Sequence, residues 1–358
     1  MKALCLFVLT LGVALAAPPY VDRWQTVADR LIETPAASYP FNWGEGVQMI
    51  GLMKIYNHTH KNAYADYVER WTALYSVKDV RELLALTDPS VRQPGYCGHW
   101  SPATAIFYLY QARQNPDHLR LADGIGNFIV NGAERSPENA LGHWLGNRQL
   151  WVDTLYMACP LLSAIGKAEH KPPYIDDAAN QILVFSRHLQ DPDKGLFYHM
   201  WDWQTGQRTK ELWGRGNGWV LMSLADTLEV MDRKHRYYGA LKRIAERMVE
   251  GLRNTQDASG VWHTVLDDPS SYPESSATSM FCYGLLKLAR LKVLPASVRP
   301  MALKAWAAVN EQYVKEGVVV GVSAGTEPKD RGYYKNVPLG TKTWGTGAYL
   351  MAGSEVVR

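Results

Sequence analysis

Asp153 stands in "LWVDT", behind Trp151 and ahead of the apolar residues Leu155, Tyr156 and Met157. A carboxyl walled by aromatic rings is desolvated, which raises its pKa and suits it to give up and recover a proton near neutral pH. The same carboxyl also reads as a first-turn acid favoured by the helix dipole. The second cluster is "ELWGRGNGWV", Glu211 to Val220. Its glycines let backbone approach a ligand and leave the fork of Arg215 uncovered for a carboxylate, while Trp219, four residues on, offers a flat apolar face. The other reading of Arg215 is a residue that satisfies carbonyls at a helix junction. Taken together, the residue types describe a pocket for something anionic and ring-shaped. "GRGNG" lacks the Lys-Ser/Thr ending and the preceding apolar strand of a phosphate cradle, so a nucleotide loop is rejected.

Other candidates surround these two. His143 in "LGHW" and His199 in "GLFYHMWD" lie among aromatics, where a histidine either faces a ligand or is hydrogen-bonded packing. Glu45, Asp202, Glu211 and Glu274 are further acids, and Glu274 in "YPESSAT" reads at least as well as a helix cap. No Ser-His-Asp or Cys-His order stands out. Behind the leader described below, Cys97, Cys159 and Cys282 are odd in number and lack metal-ligand spacing, so neither a metal nor a cofactor is expected, and at most one disulfide.

The elements that must position these residues show themselves as a repeat. Six short phrases, rich in aromatics with glycine or serine, each precede an apolar segment of helical period: "FNWGEGV" from Phe41, "GHWSPAT" from Gly98, "QLWVDT" from Gln149, "LWGRGNGW" from Leu212, "YPESSAT" from Tyr272 and "KTWGTGA" from Lys342. Between them run amphipathic, more charged patterns such as "NAYADYVERWTALY" and "YYGALKRIAERMVEGL". The alternation predicts an all-α fold, a six-hairpin (α/α)6 barrel with an inner ring inside an outer one. Short β pieces are expected at the rim in "GLFYHMWD", "GVWHTVL" and "GVVVGVSAG". All six phrases would gather at one end of the ring, where helix N-termini face a shared hollow.

Residues 1–17 read as a secretory signal peptide, Lys2 followed by an apolar stretch that ends in small residues before Pro18 and Pro19, which predicts a secreted or periplasmic protein with residues 18–358 as one catalytic barrel. No later segment is long and apolar enough to span a membrane. A net charge of +3 argues against a nucleic-acid partner. With 47% hydrophobic and 20% charged residues the chain is globular, and its 13 tryptophans and 20 tyrosines are the excess that suits stacking on sugar rings.

With "WGEGV", "GHW" followed by "LWVDTLYM", "GLFYHMWD", "WGRGNGWV", "YPESSATSM" and "TGAYLMAGSEV" in view, the chain resembles the unsaturated rhamnogalacturonyl hydrolases of glycoside hydrolase family 105, relatives of the unsaturated glucuronyl hydrolases of family 88. The resemblance implies a six-hairpin barrel that removes a Δ4,5-unsaturated uronic acid from the non-reducing end of lyase-generated oligosaccharides, without a metal. It implies Asp153 as the acid and base that hydrates the double bond, and His143, His199, Arg215 and Trp219, with Trp213 beside them, around the uronate. Trp43 and His99, in the first and second phrases, are further candidate substrate contacts. One departure is visible: a second family aspartate at the opening of the second inner helix is replaced by "CGHWSPAT", with His99, Trp100 and Ser101 in its place. A uronate polysaccharide lyase on the same barrel, and an inactive sugar-binding relative, are the competing readings.

Overall fold

The computed structural model describes residues 20–358, and the expected leader, residues 1–17, lies outside the described residues. Six helices, Trp43–Thr59, Ser101–Arg113, Asp153–Ala168, Gly214–Val230, Ser275–Arg290 and Thr343–Val356, each begin inside one of the six recurring phrases. We call them the first to sixth inner helices. Each packs on the next in chain order and the sixth packs on the first, so the ring closes. Helices this apolar on every side are stable only when enclosed. Gly214 to Leu228, for example, is buried without interruption.

The outer ring consists of Val21–Leu31, Asn62–Ala73, Pro116–Asn131, Pro172–Leu189, Tyr238–Thr255 and Arg299–Gln312. These helices are one-sided. In Tyr238–Thr255 the buried residues Leu241, Ile244, Ala245, Met248, Val249 and Leu252 recur every three or four positions and form a single stripe. Val21–Leu31 is not among the segments expected from the sequence. It closes the outer ring by burying Trp24, whose Nε1 donates to the Leu350 carbonyl on the sixth inner helix at 2.8 Å. Inner helices approach closely where glycine permits. A Cβ on Gly347 would lie 2.3 Å from the Val47 carbonyl of the first inner helix.

The rim carries three short antiparallel pairs: Gln149–Trp151 with Met200–Asp202, Val314–Lys315 with Val318–Val319, and Val322–Ser323 with Leu339–Gly340. "GLFYHMWD" and "GVVVGVSAG" thus supply strands, whereas "GVWHTVL" forms only isolated bridges, Trp213 to Val265 and His263 to Pro273. At the opposite end of the ring the Lys287 ammonium, 1% exposed, sits 2.6 Å from Asp226 and 2.7 Å from Glu229. No helix among the described residues is long and apolar enough to cross a membrane.

Candidate active site

At the end of the ring where the inner helices begin lies a cavity of about 330 Å³, with Asp153, Arg215, His143, Trp43 and Trp213 on its wall. Asp153 is the first residue of the third inner helix, and that helix has no side-chain cap. The carboxyl therefore does no capping. Its Oδ2 instead meets His199 Nε2 at 3.1 Å, with 20% of the Asp153 side chain exposed. Since a carboxylate only accepts, His199 Nε2 carries the hydrogen. The other ring nitrogen, Nδ1, lies 2.7 Å from the Tyr334 hydroxyl. That hydroxyl donates to Nδ1 when the nitrogen is bare and accepts from it when it carries a hydrogen, and only in the second, imidazolium form can Nε2 give its hydrogen to Asp153 and leave a neutral ring.

Burial pushes the Asp153 carboxyl up, but the hydrogen bond and charge of His199, with the charges of His143 and Arg215, outweigh it and leave the carboxyl below its ordinary value. The raised pKa expected from aromatic walls is thus corrected: hydrophobic surroundings are present, yet cationic and donor groups within them decide the sign. His143 stacks on Trp151 with ring centres 4.4 Å apart, and its Nδ1 contacts Thr154 Oγ1 at 2.7 Å and Cys97 Sγ at 3.2 Å. Burial pushes its pKa down to about 4, so the imidazole is neutral at neutral pH. His199 itself is fully buried behind Asp153 and Trp213, supporting the wall without forming it.

Arg215 opens into the same cavity as Asp153, but its fork is not uncovered. Nη1 donates to the Ser323 carbonyl at 2.9 Å and to the Ser323 hydroxyl, and Nη2 donates to the Ala324 carbonyl at 2.8 Å and to Thr326 Oγ1 at 2.9 Å. Its carbon lies 4.7 Å from the Trp213 ring centre, and Glu274 stands 4.0 Å away. The junction reading of Arg215 is the observed one. The guanidinium fastens residues 323–326, and Gly325, Thr326, Glu327 and Tyr333 from this region complete the cavity wall. Its charge still bears on Asp153.

Two expected contacts lie elsewhere. Trp219 is fully buried beneath the cavity, stacked on Tyr156 at 5.2 Å and edge-on to Trp43 at 6.3 Å. The helix starts at Gly214, ahead of Arg215, so four residues further along it Trp219 lies deeper in the ring. His99 is screened by Tyr96, whose ring lies edge-on to the His99 and His143 rings at 5.6 and 5.3 Å, and Gln93, Tyr96 and Cys97 reach the wall in its place. The glycines of "GRGNG" serve helix packing and not ligand approach: a Cβ on Gly214 would sit 2.6 Å from the His263 carbonyl and one on Gly218 2.7 Å from Met280.

The further acids are structural. Glu274 caps the fifth inner helix, accepting from Ala277 N at 2.7 Å, and also accepts from Ser323 N at 2.9 Å. Glu211 pairs with Arg331 at 2.7 Å, Asp202 caps the turn at Gln204 and Thr205, and Glu45 accepts from Thr343 at 3.1 Å. The cavity wall is drawn from the first to fourth repeats and residues 325–333, so the fifth and sixth phrases support it from behind and not, as expected, at its surface. Asn217 and Tyr334 are supporting residues not picked out in the sequence. Asn217 holds the segment that carries His199 into the Met200–Asp202 strand, through Phe197 N at 2.6 Å and Phe197 O at 2.8 Å. Its place in "GRGNGW" is the one signal that marks it. Cys97, Cys159 and Cys282 are buried free thiols, with no disulfide among the described residues.

The described residues thus form a closed ring of helical hairpins with one acid, Asp153, at the head of the third inner helix. The sequence profile of Glycosyl Hydrolase Family 88 matches residues 21–358, and the chain belongs to that family. It is 27% identical over 347 residues to the unsaturated rhamnogalacturonyl hydrolase YesR of Bacillus subtilis (strain 168), covering 94% of this chain and 96% of that one. Among solved structures, the family 105 glycoside hydrolase of C. acetobutylicum ATCC 824 aligns with a TM-score of 0.82 at 26% identity over 93% of this chain and 98% of its own. A possible GH105 member from Salmonella enterica serovar Paratyphi A gives 0.84 at 24% over 99% of both chains, a likeness of fold. The family resemblance and the (α/α)6 barrel read from the sequence are borne out.

Proposed function

We propose that this glycoside hydrolase removes a Δ4,5-unsaturated uronic acid from the non-reducing end of an oligosaccharide by hydrating the double bond. The observation that carries the reading is Asp153 on the wall of a tryptophan-lined cavity, with His199 buried behind it and Nε2 3.1 Å from its carboxyl. A uronate entering beside Asp153 brings negative charge, which opposes ionisation of the carboxyl and draws onto it the Nε2 hydrogen of the imidazolium form of His199, leaving a neutral ring with its hydrogen on Nδ1. Asp153 then protonates C4 of the vinyl ether, and the ring oxygen stabilises the cation left at C5. Water adds at C5 and returns its proton to the Asp153 carboxylate. The hemiketal so formed opens, and the sugar leaves. One carboxyl serves both steps, unlike the paired carboxylates of ordinary glycosidases. Glu327, also on the wall, is 63% exposed and paired with Lys329 at 2.8 Å, and is not needed for the step.

Relatives support the substrate class: YesR is named for unsaturated rhamnogalacturonyl groups, and a Formosa agariphila protein, 32% identical over 227 residues, is named an unsaturated 3S-rhamnoglycuronyl hydrolase. We further propose export to the periplasm or medium, on the strength of the leader in residues 1–17. The test is a panel of lyase-generated oligosaccharides followed by absorbance of the unsaturated uronate. A hydrolase of this kind erases the signal and a lyase creates it. Asp153→Asn should lower the rate by about 10² to 10⁴. A variant with undiminished turnover would remove Asp153 from the mechanism.

A further inference from the structure

The hairpin that carries His199 has two sides. Trp151, paired with Met200, lines the catalytic cavity, while Tyr198 and Trp201 line a separate hollow of about 540 Å³ together with His188, Arg208 and Lys210. No carboxylate belongs to the wall of this hollow. Its aromatic rings hold the side chains around it: the His188 imidazole stacks on Trp201 at 3.7 Å and 10°, and the Arg208 guanidinium lies 4.0 Å from the Tyr198 ring centre. Arg208 is also bridged to Trp201 across the hairpin.

Stacking fixes a guanidinium face-on without consuming the donors at its edge. Of those donors only Nη1 is engaged, at 3.3 Å to the His188 carbonyl. Arg208 and Lys210 are exposed, and neither forms an ion pair among the described residues. The Glu138 and Asp191 carboxylates nearby are committed, Glu138 to His188 at 2.6 Å and Asp191 to the Tyr198 hydroxyl. The result is a held and unneutralised fork beside a second positive charge and aromatic surface. These are the requirements for an anionic sugar, whose carboxylate takes the fork and whose ring lies against apolar atoms.

We propose that this hollow binds an acidic sugar residue of a uronate-bearing glycan, outside the catalytic cavity and without cleaving it. The choice of uronate over another anionic sugar rests on the function proposed above. Such a site retains acidic glycan at the surface of the enzyme while ends are processed at Asp153.

The test uses the full enzyme and two saturated probes without a double bond to hydrate, tetragalacturonate and a glucuronate-containing tetrasaccharide, with cellotetraose as neutral control. Calorimetry should show binding of at least one acidic probe and none of cellotetraose. The exposed pair Arg208→Glu with Lys210→Glu should weaken that binding about tenfold or more, while kcat/KM on an unsaturated disaccharide stays within about twofold of wild type. Arg208→Gln, which keeps a neutral side chain in place, should weaken it by less. Equal binding by wild type and the double variant, no binding of either acidic probe, or equal binding of cellotetraose overturns the proposal. Acidic probes bound through Arg208 by an enzyme that erases no double bond would leave the hollow standing and end the hydration reading. The converse result would end only the hollow.

Discussion

At the scale of single residues, the decisive contact is His199 to Asp153, the largest of the influences that together outweigh burial of the carboxyl. Replacing His199 with Gln keeps a polar side chain but removes the charge, so desolvation is less opposed and the Asp153 carboxyl should titrate at higher pH than in wild type. Carbon-13 NMR of labelled aspartate measures this, and an unmoved titration would assign the depression to Arg215 and His143 instead. Tyr334→Phe leaves His199 Nδ1 without its hydroxyl partner inside a buried site. It should lower kcat by about tenfold with little change in KM, the cost of one unmade buried hydrogen bond. Asp153 was legible in the sequence because an acid amid aromatics is chemically conspicuous. Tyr334 was not, since it comes from 135 positions beyond His199 in an unremarkable "GYYKN". Arg215 was found for the right reason of placement and read with the wrong partner, because the carbonyls that hold it arrive from residues 323 and 324.

At the scale of elements, the six inner helices were legible in the sequence because a recurring phrase and an apolar helical period coincide at the start of each. Val21–Leu31 escaped because it stands ahead of the first phrase and so outside the repeat. The depth of Trp219 escaped because a run of glycines suggests a turn, whereas here glycine permits helices to touch. The same logic gives a test at the seam where the sixth inner helix meets the first. Gly347→Ala places a methyl 2.3 Å from the Val47 carbonyl, and the backbone there cannot yield cheaply. A loss of about 1–3 kcal/mol, typical of overpacking, is expected in denaturant unfolding. Gly239→Ala, with nothing nearer than 3.6 Å, should be neutral or slightly stabilising. Equal effects at both positions would contradict the seam.

At the scale of the whole molecule, the two ends of the ring are chemically opposite: an accessible acid in a cavity at one, an ion cluster around the buried Lys287 ammonium at the other. In that cluster burial acts to raise Glu229, but Lys287 and Lys54, with hydrogen bonds from Lys287 and Arg290, hold it well below the usual carboxylate range. A depressed carboxylate contributes stability that is present above its unfolded value and is lost as pH falls through the folded one. The melting temperature should therefore decline as pH drops below about 4.3. Lys287→Met removes the cation paired with buried Asp226, which keeps the Tyr283 hydroxyl, while Glu229 keeps Arg290; it should destabilise by about 3 kcal/mol and flatten that acid-side decline. An unchanged decline would place the acid sensitivity elsewhere.

Arg215 also changes what can be exchanged between barrels of this kind. The side of the cavity formed by residues 325–333 is tied through Ser323, Ala324 and Thr326 to a guanidinium on a different repeat, and through Ser323 N to Glu274 on a third. Grafting that segment from a relative to alter sugar preference would import a new surface on old moorings. A successful chimera has to inherit its anchors along with its face.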